Sequence, residues 1–262
     1  MPRPKTTAAP RAAPAALAAF LEGQRAGLRE AWLRFYDWVA VSIWAADAYV
    51  DDVRARFWPF VAGGRASTPA YSVHIIEAAL PADVLAPFAR EGVRFYNAHD
   101  GDIPDYDAGE LIRGVPGVDR VVANPVSGGV HVFAGNDCYV VNADRARLQL
   151  DVWRLLKQLL FARFERDGCH IIHASAVAVD AGAIAFVGQR RAGKTTLMRA
   201  AYDAGARFLA NDRLILDVTP GGASHVRGWS DPIKVLPAHG ADPASKASLS
   251  LFEFAGGDAS RI

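Results

Sequence analysis

The sequence predicts an α/β fold. Three observations carry that expectation. From residue 145 onward, apolar runs of strand length alternate with helical periodicity. A strongly amphipathic helix is written into 146–168, with Leu148, Val152, Leu155, Leu156, Leu159 and Leu160 on one stripe and Gly168 as its C-terminal cap. The stretch "AIAFVGQRRAGKTTLM" then places a glycine-bounded loop between an apolar strand and a helix starting at Lys194.

The elements follow in order. Residues 1–14 are basic, rich in Pro and Ala and free of acids. They read as a disordered leader, with an organelle transit peptide as the alternative. Leu17, Phe20, Leu21, Leu28, Trp32 and Phe35 recur near the 3.6-residue period and predict a helix over 15–35. "VAVSIW" (39–44) alternates and is β-branched, which predicts a strand. A short helix should follow and end before Pro59, then a strand over 71–78. The Gly-, Pro- and Asp-rich segment 99–118 reads as loop. "DRVVANP", "GVHVFA" and "CYVVNA" read as strands, the last two joined by a tight turn at "GND". After the long helix come the strands "HIIHASAVAVD" and "AIAFVG", the helix from Lys194 to about Ala204, and the strands "RFLA" and "RLILDV". These elements divide the chain into a small α+β N-terminal module (15–144) and an α/β core with a mixed sheet (145–262). The aromatic set Trp32, Phe35, Tyr36, Trp38 and Trp44 reads as core.

Bulk properties exclude several functions. A formal net charge of +1 gives no field to attract nucleic acid or an acidic membrane surface. No apolar run approaches the roughly 18–20 residues needed to span a bilayer. Two distant cysteines, Cys138 and Cys169, fit a reducing cytoplasm rather than a disulfide framework. His74, His99, His131, His170, His225 and His239 lack metal-ligand spacing, and no Ser nucleophile elbow is present.

The loop itself carries chemistry. Gly188 to Thr195 fits G-x-x-x-x-G-K-T at every fixed position. Gly188 and Gly193 let the backbone turn its N–H groups inward around phosphate oxygens, and the helix start adds donors and a positive dipole end. Lys194 supplies a point charge to β- and γ-phosphates, and Thr195 offers a hydroxyl to Mg²⁺. Gln189, Arg190, Arg191, Ala192 and Thr196 complete the expected ATP-binding stretch.

Together, "IIHASAVAV", "AIAFVGQRRAGKTT" and "GARFLANDRLIL" resemble the HPr kinase/phosphorylase family and its peptide-tailoring relatives, over roughly residues 168–235. The features are His173 after an isoleucine, a short strand–turn–strand leading into the loop, and a polar pair at a strand end after the lysine. The resemblance implies a phosphoenolpyruvate-carboxykinase-like P-loop core and ATP- and Mg²⁺-dependent transfer of the γ-phosphoryl group to a Ser or Thr hydroxyl of a peptide or small protein. It implies catalytic roles for His173 and the strand-end pair, and metal ligation by Thr195 and Asp212. In the family that pair is two aspartates, the first acting as general base; here it is Asn211-Asp212. An amide cannot accept the proton at neutral pH. The base is then Asp212, His173 or Asp231, or else the chain is a nucleotide-binding pseudokinase that engages a peptide or partner enzyme. A nucleoside or metabolite kinase is a third reading. The segment after Pro237 shows no counterpart of the family's oligomerising helix, so a homo-oligomer is left open.

Overall fold

The computed structural model describes residues 14–66, 68–94, 108–125, 127–180, 182–189, 192–218, 224–229, 233–235, 247–249 and 260. The expectations for residues 1–13, for 99–107, for Arg190, Arg191 and Asp231, and for His99 and His239 lie outside them. The chain is α/β, with one large mixed sheet and few helices. It divides into two units. The first holds residues up to Leu33, Ala40–Asp52 and Gly63–Leu155; the second holds Arg34–Val39, Val53–Ala62 and Leu156–Ile262. The division falls within the long helix rather than at 145, and the second unit takes two excursions from the N-terminal half.

In chain order the first half contains α1 (Pro14–Arg25), β1 (Arg29–Phe35), β2 (Val39–Ala45), α2 (Asp47–Phe57), β3 (Val61–Gly63), β4 (Tyr71–Ile76), α3 (Ala82–Leu85), β5 (Ala89–Arg94), β6 (Ala108–Arg113), β7 (Arg120–Ala123), β8 (Val130–Ala134) and β9 (Asp137–Val141). Its sheet has nine strands in the order β3-β1-β2-β4-β9-β8-β7-β6-β5. Parallel pairing of β2 with β4 and of β4 with β9 adjoins an antiparallel meander from β9 to β5. The mixed sheet expected for the C-terminal core therefore lies in the N-terminal half, which is larger than a small module. Leu17 and Leu21 of α1 and Val84 and Leu85 of α3 bury against Ile76, Ile112, Val121, Val132 and Val141 of the strands. The β8–β9 hairpin turns at Gly135-Asn136, with Gly135 at φ +60, the sign that a II′ turn requires at its first central position.

Two expectations here are corrected. The helix predicted over 15–35 stops at Arg25, and Arg29–Phe35 is a strand. Gly27 favours the break, and the spacing of Leu33 and Phe35, both fully buried, suits one face of a sheet. The loop predicted over 99–118 contains strand β6. Glu110, Leu111 and Ile112 pair with β5 and β7, and Arg90–Glu110 (2.6 Å) and Arg113–Glu91 (2.8 Å) brace the β5–β6 ladder.

The first unit also buries a carboxyl. Asp151 has no exposed surface and accepts one hydrogen bond, from Asn142 Nδ2 at 3.3 Å. Burial is the main cause raising its pKa to about 6, against the opposing pull of Asn142, Arg154 and Arg147. The folded state then holds a proton that the unfolded chain releases near pH 3.8. This contribution to stability is full below that pH and is lost as pH rises through about 6. Asp151→Asn should flatten the decline in stability over that window, by on the order of 2 kcal/mol. Urea melts of both proteins at intervals from pH 4 to 7 check this, and parallel curves would refute it.

The second half contains α4 (Arg145–Arg166), β10 (His170–Ile172), β11 (Ala174–Val179), β12 (Gly182–Val187), α5 (Lys194–Asp203), β13 (Arg207–Ala210), β14 (Leu214–Val218), β15 (Ser224–Gly228), β16 (Ile233–Val235) and β17 (Ala247–Leu249). Helix α4 ends as the sequence predicts. Gly168 sits at φ +91, Cys169 N–H bonds to Phe164 O and Gly168 N–H to Glu165 O, the paired bonds of a Schellman cap. The single strand predicted over 170–180 is two, divided at His173. β10 joins the sheet β10-β14-β15, and β11 is central in the sheet β12-β11-β13. Among the described residues these sheets pair antiparallel, which differs from the mixed sheet expected here.

The second unit has an aromatic core. Trp229 is fully buried, with Phe161 at 4.5 Å and Phe57 at 5.4 Å between ring centroids. Tyr36 stacks on Phe60 at 5.1 Å. Tyr36 and Asp37 both take positive φ, 56° and 54°, in the β1–β2 turn, so the stacked ring holds a conformation that bulky residues rarely adopt. Phe35, Tyr36 and Trp38 thus serve packing, as the sequence predicts. Both cysteines are free and buried. Among the described residues, no helix is long and apolar enough to cross a membrane.

Candidate functional site

Strand register builds the site. Both β12 and β13 run antiparallel to β11, so they are parallel to each other, with α5 as the crossover between them. Ala174 pairs with Val187 and Ala176 with Ala210. The residues just beyond those pairs therefore meet at one end of the sheet: Gly188 after β12, Asn211 and Asp212 after β13, and His173 before β11. The other sheet adds one more. Ile172 pairs with Leu214, which sets His173 opposite Arg213.

Ala192 N–H bonds to Gln189 O at 3.2 Å, and Gly193 takes φ +84, a left-handed conformation that feeds the chain into α5. The first α-helical bond runs from Leu197 N–H to Gly193 O (2.9 Å), so the N–H groups of Lys194, Thr195 and Thr196 are the helix's N-terminal donors. Lys194 arcs back over the loop, and its Nζ donates to Gly188 O and Gln189 O, each at 3.0 Å. The ammonium thus lies against the loop backbone, at the end of the sheet where the other polar groups gather.

Thr195 Oγ1 donates to Asn211 Oδ1 at 3.1 Å, which joins the loop to the end of β13. Ser175, fully buried, donates its hydroxyl to Asn211 O at 2.6 Å and fixes that strand end from β11. Sequence reasoning passed over Ser175. The only signal was a hydroxyl in a run of small apolar residues, at a position facing the end of β13.

Asp212 is held through its carboxylate oxygen Oδ2. Arg213 Nη1 donates to Oδ2 at 2.8 Å and to the Asp212 main-chain oxygen at 3.1 Å, and His173 Nδ1 lies 3.0 Å from Oδ1. Arg213 Nη1 also donates to His173 Nδ1. Arginine keeps its protons, so in that contact Nδ1 supplies the lone pair and neutral His173 carries its hydrogen on Nε2. The ring then presents a donor outward, suited to an anionic oxygen and unsuited to taking a proton. Arg213 was not assigned a role from sequence.

The donor set fits magnesium better than zinc. Among the described residues, no three His, Cys, Asp or Glu side chains converge as a metal cage. The Thr195 hydroxyl and the Asn211 amide oxygen adjoin instead, 3.1 Å apart, and the Asp212 carboxylate stands on the next residue of the chain. Mg²⁺ is commonly bound this way, by one or two carboxylates with phosphate oxygens and water completing the shell. The structure thus brings together His173, Gly188, Gln189, Lys194, Thr195, Asn211 and Asp212.

No family model, no curated protein and no solved structure matches this chain.

Proposed function

We propose that the chain binds ATP with Mg²⁺ and transfers the γ-phosphoryl group to a Ser or Thr hydroxyl of a peptide or small protein, as kinases of the HPr-kinase type do. The observation that carries this reading is the coincidence, at one sheet end, of the Gly188–Thr195 loop, His173 and the Asn211-Asp212 pair. In this account Lys194 and the N-terminal amides of α5 hold the phosphates. Thr195 and Asp212 hold Mg²⁺, which neutralises charge on the β- and γ-phosphates when bound. His173 Nε2–H meets an oxygen of the transferred group. The bond from γ-phosphorus to the bridging oxygen breaks, a bond to the acceptor oxygen forms, and the acceptor proton must leave. Among the described residues Asp212 is the carboxylate of the cluster, and in this reading it takes that proton.

Asn211 favours a second reading. Its amide oxygen is engaged by Thr195, and it cannot serve as base. A chain that binds nucleotide and a peptide or partner enzyme without efficient transfer would look the same at this position. Incubation with ATP and Mg²⁺ followed by mass spectrometry of a broad hydroxyl-peptide panel separates the two. Phosphopeptide supports the kinase. Nucleotide binding with no phosphorylated product on any peptide supports the second reading. Asn211→Asp restores a carboxylate and should raise the transfer rate by roughly 10²- to 10⁴-fold if the base is what limits it. An unchanged rate would show that it does not.

A further inference from the structure

We infer that Arg213 is a built-in competitor for the metal at Asp212. This rests on the nucleotide reading above but concerns a residue which that reading leaves without a role. Arg213 Nη1 bonds to Asp212 Oδ2 at 2.8 Å, so that carboxylate oxygen does not face a metal uncontested. The guanidinium is held in place rather than trailing in solvent. Its side chain is only 17 % exposed, its residue immediately precedes strand β14, and its main-chain oxygen accepts from Trp229 N–H at 3.2 Å. Trp229 is itself fully buried.

A guanidinium is permanently charged and matches a carboxylate well. A divalent cation needs the same oxygen lone pairs. Metal alone must therefore displace Arg213 from the Asp212 carboxylate, leaving the guanidinium only neutral partners, the Asp212 main-chain oxygen and His173 Nδ1. Metal arriving with a triphosphate does not, because phosphate oxygens offer the guanidinium another anion. Arg213 thereby makes metal and nucleotide bind cooperatively, and by linkage each strengthens the other equally.

The test is Mn²⁺ alone, titrated into the full chain and followed by electron paramagnetic resonance of the free ion. Arg213→Gln should bind Mn²⁺ roughly threefold to tenfold more tightly than the wild type, the scale of one partly exposed ion pair. Arg213→Lys, which keeps the charge, should stay near the wild type. Arg213→Met, which keeps the packing stem, should match Arg213→Gln and guards against a fold defect in either variant. Adding Asp212→Asn to Arg213→Gln should abolish the gain. Mn²⁺ affinity that is unchanged or weaker in Arg213→Gln and Arg213→Met overturns the inference, as does a gain that survives loss of the Asp212 carboxylate. The nucleotide reading fails separately, through absence of ATP binding to the wild type.

Discussion

If the loop holds a triphosphate as proposed, Lys194→Ala should weaken ATP binding on the order of 10- to 100-fold and leave the melting temperature nearly unchanged. The first part follows from the role proposed for Lys194, a charged donor to the β- and γ-phosphates; such hydrogen bonds contribute about 1.5–3 kcal/mol each. The second follows from where the lysine lies. Among the described residues its Nζ bonds to the loop carbonyls of Gly188 and Gln189, on an exposed surface, and those oxygens can bond to water instead. The pairing of effects matters more than either alone. A variant that lost nucleotide only because the loop unfolded would also melt earlier. Calorimetric titration beside thermal denaturation reads both, and ATP affinity equal to the wild type's would remove Lys194 from the site.

Gly228→Ala destabilises the fold by about 3 kcal/mol or more, at the upper end of what overpacking costs. A Cβ at Gly228 would lie 1.5 Å from Leu209 O and 2.7 Å from Leu209 C. Those are main-chain atoms of β13, and no rotamer change relieves the clash. Strand β15 must move, and with it Trp229, whose indole is fully buried in the aromatic core of the second unit. A fall in melting temperature of roughly 6–12 °C is expected at this chain length. Trp229 N–H bonds to Arg213 O, so the displacement should also disturb the Arg213–Asp212 contact. Differential scanning calorimetry measures the first effect, and a shift within 1 °C of zero would show that the backbones yield cheaply.

The loop and its flanks were legible in sequence because their signals are local. Gly188, Gly193, Lys194 and Thr195 stand at fixed spacing, and the strand before them and the helix after them each show their own periodicity. The break at His173 was not legible. Residues 170–179 read as one β-rich run, and only pairing of His170–Ile172 with β14, and of Ala174–Val179 with β12 and β13, divides it. The same holds for Arg29–Phe35, where apolar residues satisfy helical and alternating patterns together and the partner strands decide. It holds again for Ala108–Arg113, whose acidic, glycine-rich setting hides a strand paired along its whole length with β5. Arg213 escaped notice for a related reason. It neighbours Asp212 in sequence, but its meeting with His173 depends on the pairing of Ile172 with Leu214 between strands over forty residues apart. Chemistry set by composition and spacing could be read from the chain; chemistry set by register could not.

The account turns on whether the loop between β12 and α5 holds a triphosphate. Isothermal titration of the full chain with ATP and Mg²⁺ tests it most directly. Saturable heat at one nucleotide per chain, strongly reduced in Lys194→Ala, is the expected result. No heat with any purine triphosphate in the presence of Mg²⁺ would contradict it.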